Sequence, residues 1–264
     1  MDWNKTKGLF IVVFLILDVF LLYQFLDFRA AKLEINKDSD STIEERLKAE
    51  GIKYHVGTQE RVSEKTISAK PKEFSKEELN TLKNQTLIID NKRTIRSTLD
   101  KPIKIGTGEG KYFELESFIN KNVYSGDEYK FWRKEDGTIT YYQTYKSRLL
   151  FNNKNGALIF TLNENDEVIS YIQTHLDDIE EFNENQEINP PIQAVESLLN
   201  GGYLSSGSEV SKGELGFYTL IEVSESKVLV LVPTWHFTVN KQEDYFVNGI
   251  EGQVLNTEEG NVTE

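Results

Sequence analysis

Asp18 is the only charged residue in an apolar run, GLFIVVFLILDVFLLYQFL, that covers residues 8–26. Nineteen helical residues at about 1.5 Å each reach roughly 28 Å, close to the thickness of a bilayer's hydrocarbon core. A carboxyl group near the middle of such a helix has two readings. A strongly apolar helix tolerates a single polar residue at a cost of about 3 kcal/mol. Alternatively, Asp18 faces a partner helix and bonds to a polar group there, which is how ionisable residues within membranes are usually accommodated. The second reading is favoured. Phe14, Leu15, Leu21, Leu22 and Phe25 share the face of Asp18 by helical spacing and complete the expected contact surface. The run has no small-xxx-small motif for close backbone approach.

Elsewhere, chemistry-bearing residues are dispersed. His55, His175 and His236 are far apart, and none has a second histidine at the i+3 or i+4 spacing that zinc requires. His236, in PTWHF, is expected on a strand in a structural role. GTGEG at residues 106–110 has the glycines of a phosphate loop but lacks a following lysine, so it reads as a connector. The acidic run Asp177, Asp178, Glu180, Glu181, Glu184 and Glu187 lacks the spacing and central glycine of a calcium loop and is expected to be a solvated loop. No G-x-S-x-G elbow is present. A glycosidase needs two carboxylates at a defined separation across a cleft, which a sequence alone does not establish. No catalytic, metal-binding or cofactor-binding residue is assigned, and the chain is expected not to be an enzyme. Trp132, Tyr141, Tyr142 and Tyr145 are candidates to line an aromatic groove, although alternating aromatics on strands more often fill a core.

The 264 residues carry a formal charge of −13, which argues against nonspecific nucleic-acid binding. There are no cysteines, which removes disulfides, thiolate nucleophiles and cysteine metal sites together. The apolar run exits into DFRAAKLE, where Phe28 and Arg29 stand in place of the small residues of a cleavage site. A retained anchor is therefore expected. Its short head would be cytoplasmic and the large acidic remainder outside, with Trp3 and Tyr23 at the interfaces.

Beyond the anchor, the pattern predicts an α+β fold. Ser41, Thr42, Ile43 and Glu44 suggest a capping box that opens a helix ending at Gly51, and Ser75 with Glu78 suggests another. A helix is expected over residues 113–121. Strands follow at YKFWR, TITYYQTYK, LLF, ALIFTL and VISYIQT, separated by Asp136-Gly137, Asn155-Gly156 and residues 163–166. A second helix opens at Pro190-Pro191, carries Ile192, Val195, Leu198 and Leu199 on one stripe, and ends at Gly201-Gly202. Strands ELGFYTLIEV, KVLVLVPTWHFTV, DYFVN and GQVL close the chain. A helix followed by antiparallel strands thus appears twice, as if in two related halves.

The opening MDWNKTKGLFIVVFLILDVFLLYQF resembles the start of the YycI (WalI) family. The resemblance rests on Met1-Asp2-Trp3, on Lys5 and Lys7, and on the phenylalanine-rich span with a polar centre. The closing stretch PTWHFTV…DYFVNGIEGQVL is similar to the family's last strands. The family departs from this chain in favouring an amide at the central polar position. The resemblance implies a membrane-anchored accessory protein that acts, with the sister protein YycH, on the sensor histidine kinase YycG (WalK) of a cell-wall two-component system. It implies contact through the membrane helices, with the outer domains contributing.

The expected layout is a cytoplasmic head at 1–7, a transmembrane helix at 8–28 and an N-terminal part of the outer domain at 34–110. A helix and antiparallel meander at 111–183, a second helix and sheet at 189–256 and a tail at 257–264 complete it. Two alternatives are a wall hydrolase held at the membrane and a receptor module for a wall fragment.

Overall fold

A computed structural model describes residues 7, 11, 13–24, 42–55, 62–106, 108, 110–135, 137–182, 184–223 and 227–255. The chain divides into two compact units, Met1–Ala49 and Glu50–Glu264. In the first unit, residues 13–24 are helical and their large apolar side chains are exposed. Among the described residues, no helix is long and apolar enough to cross a membrane. The span expected over residues 8–28 extends beyond the described residues at both ends. Helix α1 (Ile43–Ala49) follows. Its cap is one residue later than expected: the Thr42 backbone N–H donates to Glu45 at 3.0 Å and the Glu45 N–H donates to the Thr42 hydroxyl at 3.3 Å. Thr-x-x-Glu meets the capping-box rule as well as Ser-x-x-Glu does, so the two registers compete in the sequence.

The second unit is built mainly of strands. β1 (Lys53–Tyr54), β2 (Val62–Glu64) and β3 (Ile67–Pro71) come first. Helix α2 (Lys76–Leu79), held by the reciprocal Ser75–Glu78 capping box, precedes β4 (Gln85–Asp90) and β5 (Thr94–Lys104). Helix α3 (Phe113–Asn122) leads into β6 (Tyr129–Glu135), β7 (Thr138–Tyr145), β8 (Arg148–Phe151), β9 (Ala157–Leu162) and β10 (Glu167–Gln173). β11 (Leu176–Glu181) and β12 (Gln186–Ile188) connect to helix α4 (Pro191–Asn200). β13 (Glu209–Val210), β14 (Glu214–Val223), β15 (Val228–Val239), β16 (Glu243–Asn248) and β17 (Val254–Leu255) complete the fold.

Two antiparallel regions form. In one, β7 pairs with β6 and β9, and the ladder continues through β10 and β5 to β4. In the other, β15 pairs with β14, β16 and β3, and β3 pairs with β11. β8 joins them, antiparallel to β7 and parallel to β14. Among the described residues, the fold is therefore α+β, with one large mixed, mostly antiparallel sheet, a separate two-stranded antiparallel sheet of β2 and β12, and few helices. Leu115 and Ile119 of α3 pack on Ile95, Ile139, Tyr141, Leu158, Phe160 and Tyr171 of the first region. Ile67, Leu150, Leu176, Phe217, Leu229 and Leu231 form the core of the second.

The acidic run is not the solvated loop expected of it. Residues 176–181 are strand β11, with Leu176 in the core and Ile179 packed against it. Three of the carboxylates, Asp177, Asp178 and Glu181, meet lysines brought from other elements. Lys72 reaches Asp177 at 3.3 Å, Lys70 reaches Asp178 at 3.4 Å, and Lys65 and Lys146 both pair with Glu181. Lysines distant in sequence neutralise a row that would otherwise resist pairing with β3.

α3 is followed closely by a 3-10 turn, and the fit depends on Gly126. A Cβ there would strike the backbone carbonyl of Ile119. Gly126→Ala should therefore cost about 2 kcal/mol through forced backbone shifts. A urea midpoint equal to that of the parent protein would show that the contact relaxes freely.

Candidate functional site

Where the first region meets the second, residues of strands β6 and β16 line a cleft. Phe131 pairs with Tyr141 and Arg133 with Thr140, which leaves Trp132 as the extra residue of a β-bulge. In an unbroken strand, neighbouring side chains point to opposite faces. A bulge bends the strand and re-aims its side chains, as often happens beside functional sites. Trp132 and Arg133 both line the cleft, whose volume is about 390 Å³, with Tyr142, Asn152, Gln242 and Asp244 also on its walls. A second cleft of about 560 Å³ adjoins it, sharing Trp132, Arg133, Glu135, Gln242 and Asp244.

The floor is aromatic. Trp132 lies 5.7 Å from Tyr142 and from Phe151, measured between ring centroids, and 4.7 Å from His236. His236 in turn lies stacked at 5.1 Å on Phe246. Its Nε2 donates to Asp244 Oδ1 at 2.8 Å, and Thr238 Oγ1 donates to the same oxygen at 3.1 Å. The other Asp244 oxygen accepts from Arg133, whose second nitrogen reaches Glu135 at 3.1 Å. Burial, with the guanidinium charge nearby, pushes the His236 imidazole down to about 4. It is therefore neutral near pH 7, with a proton on Nε2, and holds Asp244 in place. The strand position and packing expected of His236 are those observed.

Of the four aromatics expected to line a groove, the structure brings Trp132 and Tyr142 together and separates the others. Tyr141 faces the opposite side of β7 and is buried in the first core. Tyr145 packs on Phe217 at 6.2 Å in the second. Arg133, Asp244, Gln242 and Phe246 were not anticipated. Asp244 and Phe246 lie on the DYFVN strand, whose pattern indicated pairing and carried no sign of a site.

The Tyr129 hydroxyl donates to the Thr174 carbonyl, and its oxygen accepts at 3.1 Å from Nδ1 of His175, which is buried between β10 and β11. Burial pushes the His175 imidazole down to about 4. Beside it, burial raises the Glu128 carboxyl above its ordinary value. His55 is exposed and apart from both other histidines. Gly108 and Gly110 of the GTGEG segment adopt positive φ in the connector between β5 and α3. Among the described residues, no group of three or more histidine or acidic side chains is placed to hold a metal ion. In the first unit, Phe14, Leu15, Asp18, Leu21 and Leu22 lie on helical residues and are exposed, while Phe25 falls outside the described residues.

Two solved structures are similar in outline. An uncharacterized protein from Eubacterium rectale matches with a TM-score of 0.46 and 10% identity, over 78% of this chain and 90% of that one. The YpeB C-terminal domain of Bacillus megaterium matches with a TM-score of 0.37 and 13% identity, over 72% and 88%. No curated protein sequence matches. The model of the YycI protein family matches residues 30–250, more than four-fifths of the chain. The chain belongs to the YycI family, and its role is related to the YycG (WalK) two-component system.

Proposed function

We propose that the chain is a single-pass membrane protein that regulates the YycG-type sensor kinase without catalysing a reaction. Its head would be cytoplasmic and its strand-rich unit extracytoplasmic, working with a YycH-like sister protein. The observation that carries this reading, beyond family membership, is the exposed helix at residues 13–24. Phe14 is 60% exposed, Leu15 59% and Ile16 63%, and as consecutive residues they face three different sides of the helix. A helix that is apolar all round calls for an apolar medium or an apolar partner. In lipid, Asp18 would be the feature that distinguishes one helix arrangement from another. A partner biases a kinase only by binding its two signalling states unequally, and a hydrogen bond made in one state supplies such a difference.

The test is Asp18→Leu in the full chain. An interhelical hydrogen bond contributes about 1 kcal/mol. Co-purified kinase should therefore fall roughly fivefold, with altered kinase output. Asp18→Asn, which keeps a bonding group, should lose less. Unchanged capture and output at equal protein level would defeat the role given to Asp18.

A further inference from the structure

The paired clefts between β6 and β16 have a composition that selects among ligand classes. Their volumes, about 390 and 560 Å³, fall in the range of small-molecule sites. Trp132 and Tyr142 supply apolar ring surface, and Thr140, Asn152 and Gln242 supply hydroxyl and amide groups at the same walls. Amides both donate and accept, so they suit a ligand rich in hydroxyls.

Charge narrows the choice. In the smaller cleft, the single guanidinium of Arg133 lies between the carboxylates of Asp244 and Glu135. Of the three lysines that line the larger cleft, Lys130 pairs with Glu214 at 3.9 Å and Lys134 with Asp166 at 2.6 Å, while Lys241 adds a further positive charge. Arg133 is already engaged by two carboxylates and the smaller cleft holds a small excess of negative charge, which disfavours an anionic ligand there, while charges of both signs line the larger cleft. A cationic ligand brought to Trp132 would meet the like charge of the Arg133 guanidinium, which stands 5.2 Å from that ring's centroid, whereas an uncharged ring meets no such repulsion. An uncharged molecule with apolar faces and hydroxylated edges fits what remains.

We propose that these adjoining clefts bind a neutral oligosaccharide. The pyranose C–H faces pack on Trp132 and Tyr142, and the hydroxyls bond to Asn152, Gln242 and Thr140. Two clefts sharing one wall accommodate more than one ring. The bulge at Trp132 makes the site by turning two consecutive side chains towards it. This assignment stands independently of any contact with the kinase.

The experiment is calorimetric titration of the full chain in amine-oxide micelles, whose headgroup carries no sugar. Chitotetraose and cellotetraose are the neutral probes; trigalacturonate and trilysine are the charged ones. At least one neutral probe should bind with a sub-millimolar Kd. Trp132→Ala should weaken it about tenfold or more, as for a buried aromatic anchor. Gln242→Ala, at an exposed rim position, should weaken it several-fold with an unchanged thermal midpoint. No binding by either neutral probe, tighter binding by a charged one, or unchanged affinity in both variants would overturn the assignment.

Discussion

Between about pH 7 and pH 4.5 the strand-rich unit should lose about 5 kcal/mol of folding free energy through His175 and His236. Both imidazoles are buried, and both are pushed down to about 4. In the unfolded chain a histidine titrates near 6.5. As pH falls below that value, the unfolded state takes up two protons that the folded state refuses. The stability these groups contribute is whole above the unfolded value and is lost as pH falls towards 4. Each contributes about 1.4 kcal/mol per pH unit over that window. Glu128 acts oppositely, because its raised carboxyl takes up a proton in the folded state first. Asp177, Glu181 and Glu78, all held below their ordinary values, add further loss at more acid pH. Thermal midpoints should drop by about 10 °C or more across the window. The paired substitution His175→Gln and His236→Gln should flatten the curve above about pH 5. A parent midpoint that does not move with pH would refute this account.

Asp244→Ala should be nearly as severe. Its carboxylate is the common acceptor for Arg133, His236 and Thr238, and it ties β6 to β16 across the two regions of the sheet. Removing it leaves a half-buried guanidinium with only Glu135 and strands the His236 N–H. Deleting one partner of such a network costs about 3 kcal/mol, since the groups left behind keep their desolvation penalty. Asp244→Asn keeps an acceptor oxygen for His236 and should lose about half as much. Chemical denaturation measures both. Equal midpoints for the alanine variant and the parent would mean that water replaces the carboxylate without loss.

Two hairpins with a distinctive turn were legible in the sequence, but the Asn155-Gly156 signal joins β8 to β9, which lie on opposite sides of β7 and do not form a hairpin. Asp136-Gly137 separates β6 from β7, and the Asn163 side chain accepts from the backbone of Asn165 and Glu167 in the turn between β9 and β10. Other turns place ordinary residues at positive φ, such as Lys146-Ser147 and Asn91-Lys92, and gave no such signal. Strand β5 was missed because its buried positions are Ile95, Ser97 and Leu99 among charged neighbours, with Pro102 near its end. Strand β11 was missed because the lysines that balance its carboxylates come from distant segments. The cleft was half visible. Aromatic residues marked β6 and β7, but the bulge that sets their direction follows from pairing register, and Asp244 and Phe246 arrive from more than a hundred residues away.

Strand β3 lies between β11 and β15, and its partner residues in β15, Leu229–Leu231, are made some 160 residues later. During synthesis, β3 therefore waits with an open edge until nearly the whole polypeptide exists. Nascent intermediates of this unit should depend on chaperones and be prone to cross-pairing with other chains. A protease that detaches the finished unit intact must cut upstream of β3, because a nick that removes it takes out an inner strand.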